Sequence, residues 1–164
     1  MADVAPIEEL EAIPGEAFLA LYAALPVVAR HQLRADDYRF TVVDDPAGRT
    51  AVIEPSGRAA GRRGYAVRKA AEVAVPPLAD RAVVGAIRGE ALGVIQAAVG
   101  VFLKKEPQPD LAHYTIRVLR DGPATVVTFR DGTVKPVGRG AAGRPGFEVE
   151  FDAAAAVVRS YYIR

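Results

Sequence analysis

The 164-residue chain has no cysteine. That excludes disulfides, thiolate metal sites and cysteine nucleophiles together. It has no Trp and one Met, so aliphatic side chains must fill most of its core. Two histidines, His31 and His113, leave little from which to build a metal site, and neither a metal nor another cofactor is expected. Lysine is scarce as well: 4 Lys stand against 17 Arg, beside 31 Ala. Such a skew arises as readily from coding bias as from recognition chemistry.

An excess of either charge is also missing. There are 21 basic and 20 acidic residues, for a formal net charge of +1. Nucleic-acid-binding domains are usually visibly basic, so nucleic acid is not an expected partner. The most apolar stretch, Gly93–Leu103, falls well short of the ~20 residues that a spanning helix needs, so no membrane partner is expected. The first 16 residues carry Asp3, Glu8, Glu9, Glu11 and Glu16 but no Lys or Arg. They lack the basic start and apolar run of a secretory leader, so a cytoplasmic location is expected.

What is present is enough for a packed core: 51% apolar and 25% charged residues. The length suits one medium domain or two very small ones. The chain also repeats itself. Gly15-Glu16-Ala17 and the residues to Leu25 align with Gly89-Glu90-Ala91 and the residues to Val99. Tyr38–Asp45 aligns with Tyr114–Asp121. Ala59-Ala60-Gly61-Arg62-Arg63-Gly64-Tyr65-Ala66-Val67 aligns with Ala141-Ala142-Gly143-Arg144-Pro145-Gly146-Phe147-Glu148-Val149. The blocks are collinear, and their offset grows only at loops.

Each copy reads as a helix followed by an antiparallel meander, which is α+β. Residues 15–33 carry Phe18, Leu21, Tyr22 and Leu25 at helical spacing, with Pro26 expected to kink or end the helix. Residues 80–104 carry Val84, Ala91, Ile95, Ala98 and Phe102 on one stripe, with Asp80 placed to cap it. Gly89, Gly93 and Gly100 each cost this helix about 1 kcal/mol relative to Ala. Close approach of a neighbouring backbone would account for them. Period-two alternation predicts strands at 38–44, 49–54, 114–119 and 124–130. Further strands are expected at Tyr65–Val73, Phe147–Phe151 and Val157–Ile163. In Phe147–Phe151 the aromatics point in and the acids out. About 80 residues per copy is marginal alone, so the copies are expected to pack as one pseudo-twofold globule. The division is an acidic N-terminal segment 1–14, a first repeat 15–76 and a second repeat 77–164, with Pro76-Pro77 as the joint.

The second copy, ending in Phe147-Glu148-Val149-Glu150-Phe151-Asp152-Ala153 and a final strand, resembles PepSY-type and other cystatin-like α+β modules. Phe151-Asp152-Ala153 matches the pattern there, whereas Ala154-Ala155 replaces the usual Thr-Gly of the turn. In the first copy Lys69-Ala70 replaces Asp-Ala. The resemblance implies a binding module and brings no catalytic residues with it.

Gly138-Arg139-Gly140-Ala141-Ala142-Gly143 matches the dinucleotide fingerprint in letters only. The chemistry needs a helix after it, and Pro145-Gly146 and a strand follow. Ser56 and Ser160 lack a nucleophile elbow. A His–carboxylate pair could join His31 to Asp36 or His113 to Asp110. The candidate partner-binding residues are Arg62, Arg63 and Arg144 on the Gly-rich loops, with Tyr65, Tyr161 and Tyr162 on strands. Of Tyr161 and Tyr162, one must face each side of the sheet. The expected function is a non-enzymatic protein-binding module, of inhibitor or immunity type, acting on a protein partner or by self-association. The alternative is a small-ligand or enzymatic cone with an apolar pocket between helix and sheet.

Overall fold

The alternating residues of Tyr38–Asp45 and Gly48–Pro55 close as an antiparallel hairpin around a tight turn, with Phe40 opposite Ile53 and Val42 opposite Ala51. The same device recurs at Tyr114–Asp121 and Ala124–Asp131, with Ile116 opposite Phe129 and Val118 opposite Val127. The computed structural model describes residues 7–79, 81–106, 110–131 and 146–163. Over those residues it is mixed α+β, with two helices and two five-stranded antiparallel sheets.

In chain order, β1 (Glu8–Pro14) and α1 (Gly15–Arg30) lead through a 3₁₀ turn (Ala35–Asp37) to the first hairpin, β2 (Tyr38–Asp45) and β3 (Gly48–Pro55). Then come β4 (Tyr65–Arg68) and β5 (Ala71–Val73). The series starts again with β6 (Ala82–Arg88), α2 (Gly89–Lys105) and a 3₁₀ turn (Leu111–His113). It ends with β7 (Tyr114–Asp121), β8 (Ala124–Asp131), β9 (Gly146–Phe151) and β10 (Val157–Ile163).

Two strands form where the sequence expects none. Residues 82–88 extend as β6, where a helix from residue 80 is expected. Val83, Val84 and Ile87 are β-branched, Gly85 weakens a helix, and β2 offers a free ladder beside them. Glu8–Pro14 forms β1 on the edge of the other sheet, with Ile13 fully buried opposite Ile116. Asp80, the expected cap, lies outside the described residues.

The chain divides into two compact units: Met1–Gly15 with Val94–Arg164, and Glu16–Gly93. Each helix therefore follows a strand that is paired in the opposite series: β1 beside β7, and β6 beside β2.

In the first unit the sheet order is β1-β7-β8-β9-β10. Its inner face is buried through Ile13, Ile116, Val118, Val127, Phe129, Phe147, Val149 and Phe151. Phe102 of α2 packs on that face, with ring centroids 5.0 Å from Phe129, 4.6 Å from Phe147 and 5.6 Å from Tyr114. The alternation in β9 is as expected, with the aromatics buried.

In the second unit the order is β5-β4-β3-β2-β6. The buried stripe of α1 is Ala17, Phe18, Leu21, Ala24 and Val27. Glu16 at its start lies 3.5 Å from Arg49 of β3. Pro26 does not end α1, which runs on to Arg30. Tyr22, four residues earlier, is on the exposed side, where water can serve the carbonyl left without a donor. The far face of this sheet is also apolar: Val43, Val52 and Ala66 are buried under Val73 and Leu78.

Each helix begins on a glycine whose place leaves a side chain no room without a shift of backbone. A Cβ on Gly15 would lie 1.6 Å from the Leu111 carbonyl oxygen, and one on Gly89 would lie 1.6 Å from that of Ala35. Both oxygens belong to the 3₁₀ turns, at matching places in the two series. The expected close approach thus holds at Gly89. It does not hold at Gly93 and Gly100, where a Cβ would meet nothing within 4 Å. Tyr65–Val73 is two strands instead of one. Lys69 and Ala70, at φ 50° and 62°, turn the chain left-handed between β4 and β5.

Candidate functional site

In the second unit, the turn at Lys69-Ala70 places Glu72 opposite Val67, beside Tyr65 on the adjoining strand. The C-terminus of α1 meets them there. His31 continues the last turn, its N–H donating to the Val27 carbonyl at 3.1 Å. The imidazole lies over Tyr65, with ring centroids 4.3 Å apart, and its Nε2 is 2.6 Å from Glu72 Oε1. Arg63 covers Tyr65 from the loop, its Cζ 5.0 Å from the ring centroid, and reaches to 3.9 Å from Glu72 Oε2. Three expected residues are thereby placed. Arg62 is exposed, Arg63 is exposed over an aromatic ring, and Tyr65 is half-buried.

Sequence reasoning missed Glu72. Its contact with His31 spans 41 residues of chain, and only the tight β4–β5 turn brings it near. The His31 partner is Glu72 and not Asp36. His113 does meet Asp110, at 3.0 Å and one helical turn's spacing. The His31 group ties the end of α1 to the β4–β5 hairpin and leaves the Arg62 and Arg63 cations outward.

In the first unit, β10 runs antiparallel to β9, with Tyr161 opposite Glu148 and Tyr162 opposite Phe147. The Tyr161 hydroxyl donates to Glu148 Oε2. Arg159 Nε is 2.9 Å from Glu150 Oε2, and its Cζ sits 6.0 Å from the Tyr161 ring centroid. Tyr162 packs edge-on against buried Phe147 at 5.4 Å. The two tyrosines thus take opposite faces of the sheet, as expected. Burial raises the Glu148 carboxyl above the usual carboxylate range; Glu150 adds to this, while Arg130 and Arg159 oppose it.

Among the described residues, β10 ends its sheet. It is also apolar and open: Val157 is 49% exposed, Val158 56%, Tyr161 42% and Tyr162 40%. An unpaired strand edge offers a ladder of N–H and C=O groups to an incoming strand.

Arg144, and the glycine-rich 138–143 segment before it, lie outside the described residues. Among the described residues, no three His, Cys, Asp or Glu side chains gather where a metal ion could be held. No helix there is long and apolar enough to cross a membrane. No protein-family model, no curated protein and no solved structure matches this chain.

Proposed function

We propose that the protein is a non-enzymatic protein-binding module built from two tandem cystatin-like repeats, of inhibitor or immunity type. Its contact surface is the outer edge of β10. The observation that carries this reading is a seven-residue edge strand bearing four large, exposed apolar or aromatic side chains. Strand addition uses such an edge: the backbone ladder supplies affinity, and alternate side chains supply specificity. Tyrosine suits the role because it combines a broad apolar body with a polar tip. The order of elements, which runs twice, and the two matching glycine junctions support the tandem origin.

The test is affinity capture from lysate of the source cells with the wild-type chain and with Val158→Lys. A lysine on an exposed edge strand discourages strand addition without entering the core. Loss of the captured protein with Val158→Lys supports the reading. Equal capture by both chains overturns it.

A further inference from the structure

We infer that the strand received by β10 is the β10 of a second copy of this chain, paired antiparallel about Ser160. This rests on the reading of β10 as the contact edge, and it names the occupant.

The pattern of β10 is complementary to itself. Antiparallel pairing centred on Ser160 sets Val158 opposite Tyr162 of the other copy and Arg159 opposite Tyr161. Apolar groups meet apolar or aromatic groups, and each cation meets an aromatic face, a favourable arrangement. No like charges stand directly opposite one another. A shift of two positions, centred on Arg159, would set two arginines opposite each other and is disfavoured. Each Arg159 is already neutralised by Glu150 of its own chain at 2.9 Å, so the paired edge gathers little uncompensated charge.

The other edge of the same sheet contrasts with this. A register shift interrupts both edge strands, between Glu9 and Glu11 in β1 and between Val157 and Arg159 in β10, but β1 alone carries Glu8, Glu9 and Glu11 within four residues and Pro14 at its end. Those are devices that keep an edge from pairing. Two copies of β1 set antiparallel would bring acid against acid. Pairing β1 of one copy with β10 of another would leave an edge free at each end and grow without closing. Pairing β10 with β10 is isologous and stops at two.

A single strand-to-strand contact is small beside a standard interface, so the dimer is expected to be weak, with a Kd of about 1–100 µM. Sedimentation equilibrium on the full chain, from about 1 µM to 1 mM, reads it directly. The decisive variants are Ser160→Lys and Ser160→Glu, because Ser160 meets its own copy at the centre of the pair. Each alone is expected to weaken dimerisation at least tenfold, and an equimolar mixture is expected to recover it. Amide exchange in the wild-type chain is expected to slow across residues 157–163 as concentration rises; this reading does not depend on the variants folding.

A wild-type chain that stays monomeric throughout overturns the proposal. So does a dimer indifferent to both substitutions, or growth beyond two copies. The lysate capture then separates the two levels. Capture still sensitive to Val158→Lys leaves β10 as a contact edge with a different occupant, whereas insensitive capture removes both.

Discussion

Phe102 on α2 touches the rings of Tyr114, Phe129 and Phe147, whereas the matching place on α1 is the half-buried Val28. The sheet partners differ in the same sense. Phe129 matches Ile53, and the fully buried Phe147 matches the half-buried Tyr65. One order of elements therefore stands on two differently filled cores: the first unit clusters Phe102, Phe129 and Phe147, whereas the second buries Phe18 and Phe40, at places that match Leu92 and Ile116. Volume and pattern suffice for the backbone, and the identity of the filling side chains is free to vary. The far faces diverge further. Val43, Val52 and Ala66 form a buried apolar cluster in one unit, and their counterparts are Leu119, Thr128 and Glu148. The last strand has three residues in one series and seven in the other. The unit with a polar far face is also the one with the long, open edge strand.

The largest way to break this comparison is at the ring cluster around Phe102. Phe102→Ala is expected to cost about 3–5 kcal/mol, because three rings lose their common neighbour and leave a cavity. Val28→Ala is expected to cost about 1 kcal/mol, since less volume is lost at a half-buried site. Denaturant unfolding of both variants measures the difference, and equal costs would remove the distinction between the cores. Next in size are the junction glycines. Gly15→Ala and Gly89→Ala each force a methyl group onto a 3₁₀-turn carbonyl, for about 1–3 kcal/mol apiece. The two costs should agree closely, since both junctions share one geometry. A large inequality would show that only one of them constrains its unit. Smaller again is an exchange at one matched position. Phe147→Tyr buries an extra hydroxyl in an apolar setting, at about 1–3 kcal/mol. Tyr65→Phe removes a hydroxyl from a half-exposed ring and should change stability by less than about 0.5 kcal/mol.

The sequence reveals these features unevenly, and the reasons are physical. Alternation exposes β2, β3, β7, β8 and β9, because a sheet with one buried face imposes period two on its residues. The opposite facing of Tyr161 and Tyr162 follows from the same rule. β6 is hidden because only Arg88-Gly89-Glu90 separate its apolar residues from those of α2, so a helical stripe can be drawn across both. β1 is hidden because Glu8, Glu9 and Glu11 mask the single buried anchor, Ile13. Neither strand's pairing is local: β1 finds its partner more than a hundred residues away, and nothing in either sequence names the other. The same holds for His31, whose nearest acid in sequence is Asp36 but whose partner in space is Glu72. Of the candidate contact residues, Tyr161 and Tyr162 were legible from strand position. The grouping of Arg63, Tyr65, His31 and Glu72 depended on a left-handed turn at Lys69-Ala70, in residues that do not advertise one.

The smallest effect sharpens the comparison by its sign. In the second unit, Asp44 accepts from Arg49 through paired contacts of 2.8 and 3.1 Å, and that hydrogen bonding holds its carboxyl below the usual range. A folded-state pKa below the unfolded one stabilises at pH values above the unfolded pKa, and the gain is lost as pH falls through the folded value. In the first unit, burial holds Glu148 above the usual range. A raised carboxyl pKa works the other way: the folded state favours the protonated form, and stability declines as pH rises from the unfolded pKa through the folded one. The two groups therefore tilt stability in opposite directions across the carboxylate range. Urea midpoints from about pH 3 to 7 should show this in two variants. Asp44→Asn should remove part of the loss on acidification. Glu148→Gln should remove part of the decline on the alkaline side, while its amide oxygen can still accept from the Tyr161 hydroxyl. Both groups sit at or near the surface, so each change should be a modest shift in midpoint. If the two variants altered the pH profile in the same direction, burial would not be what sets Glu148 apart from Asp44.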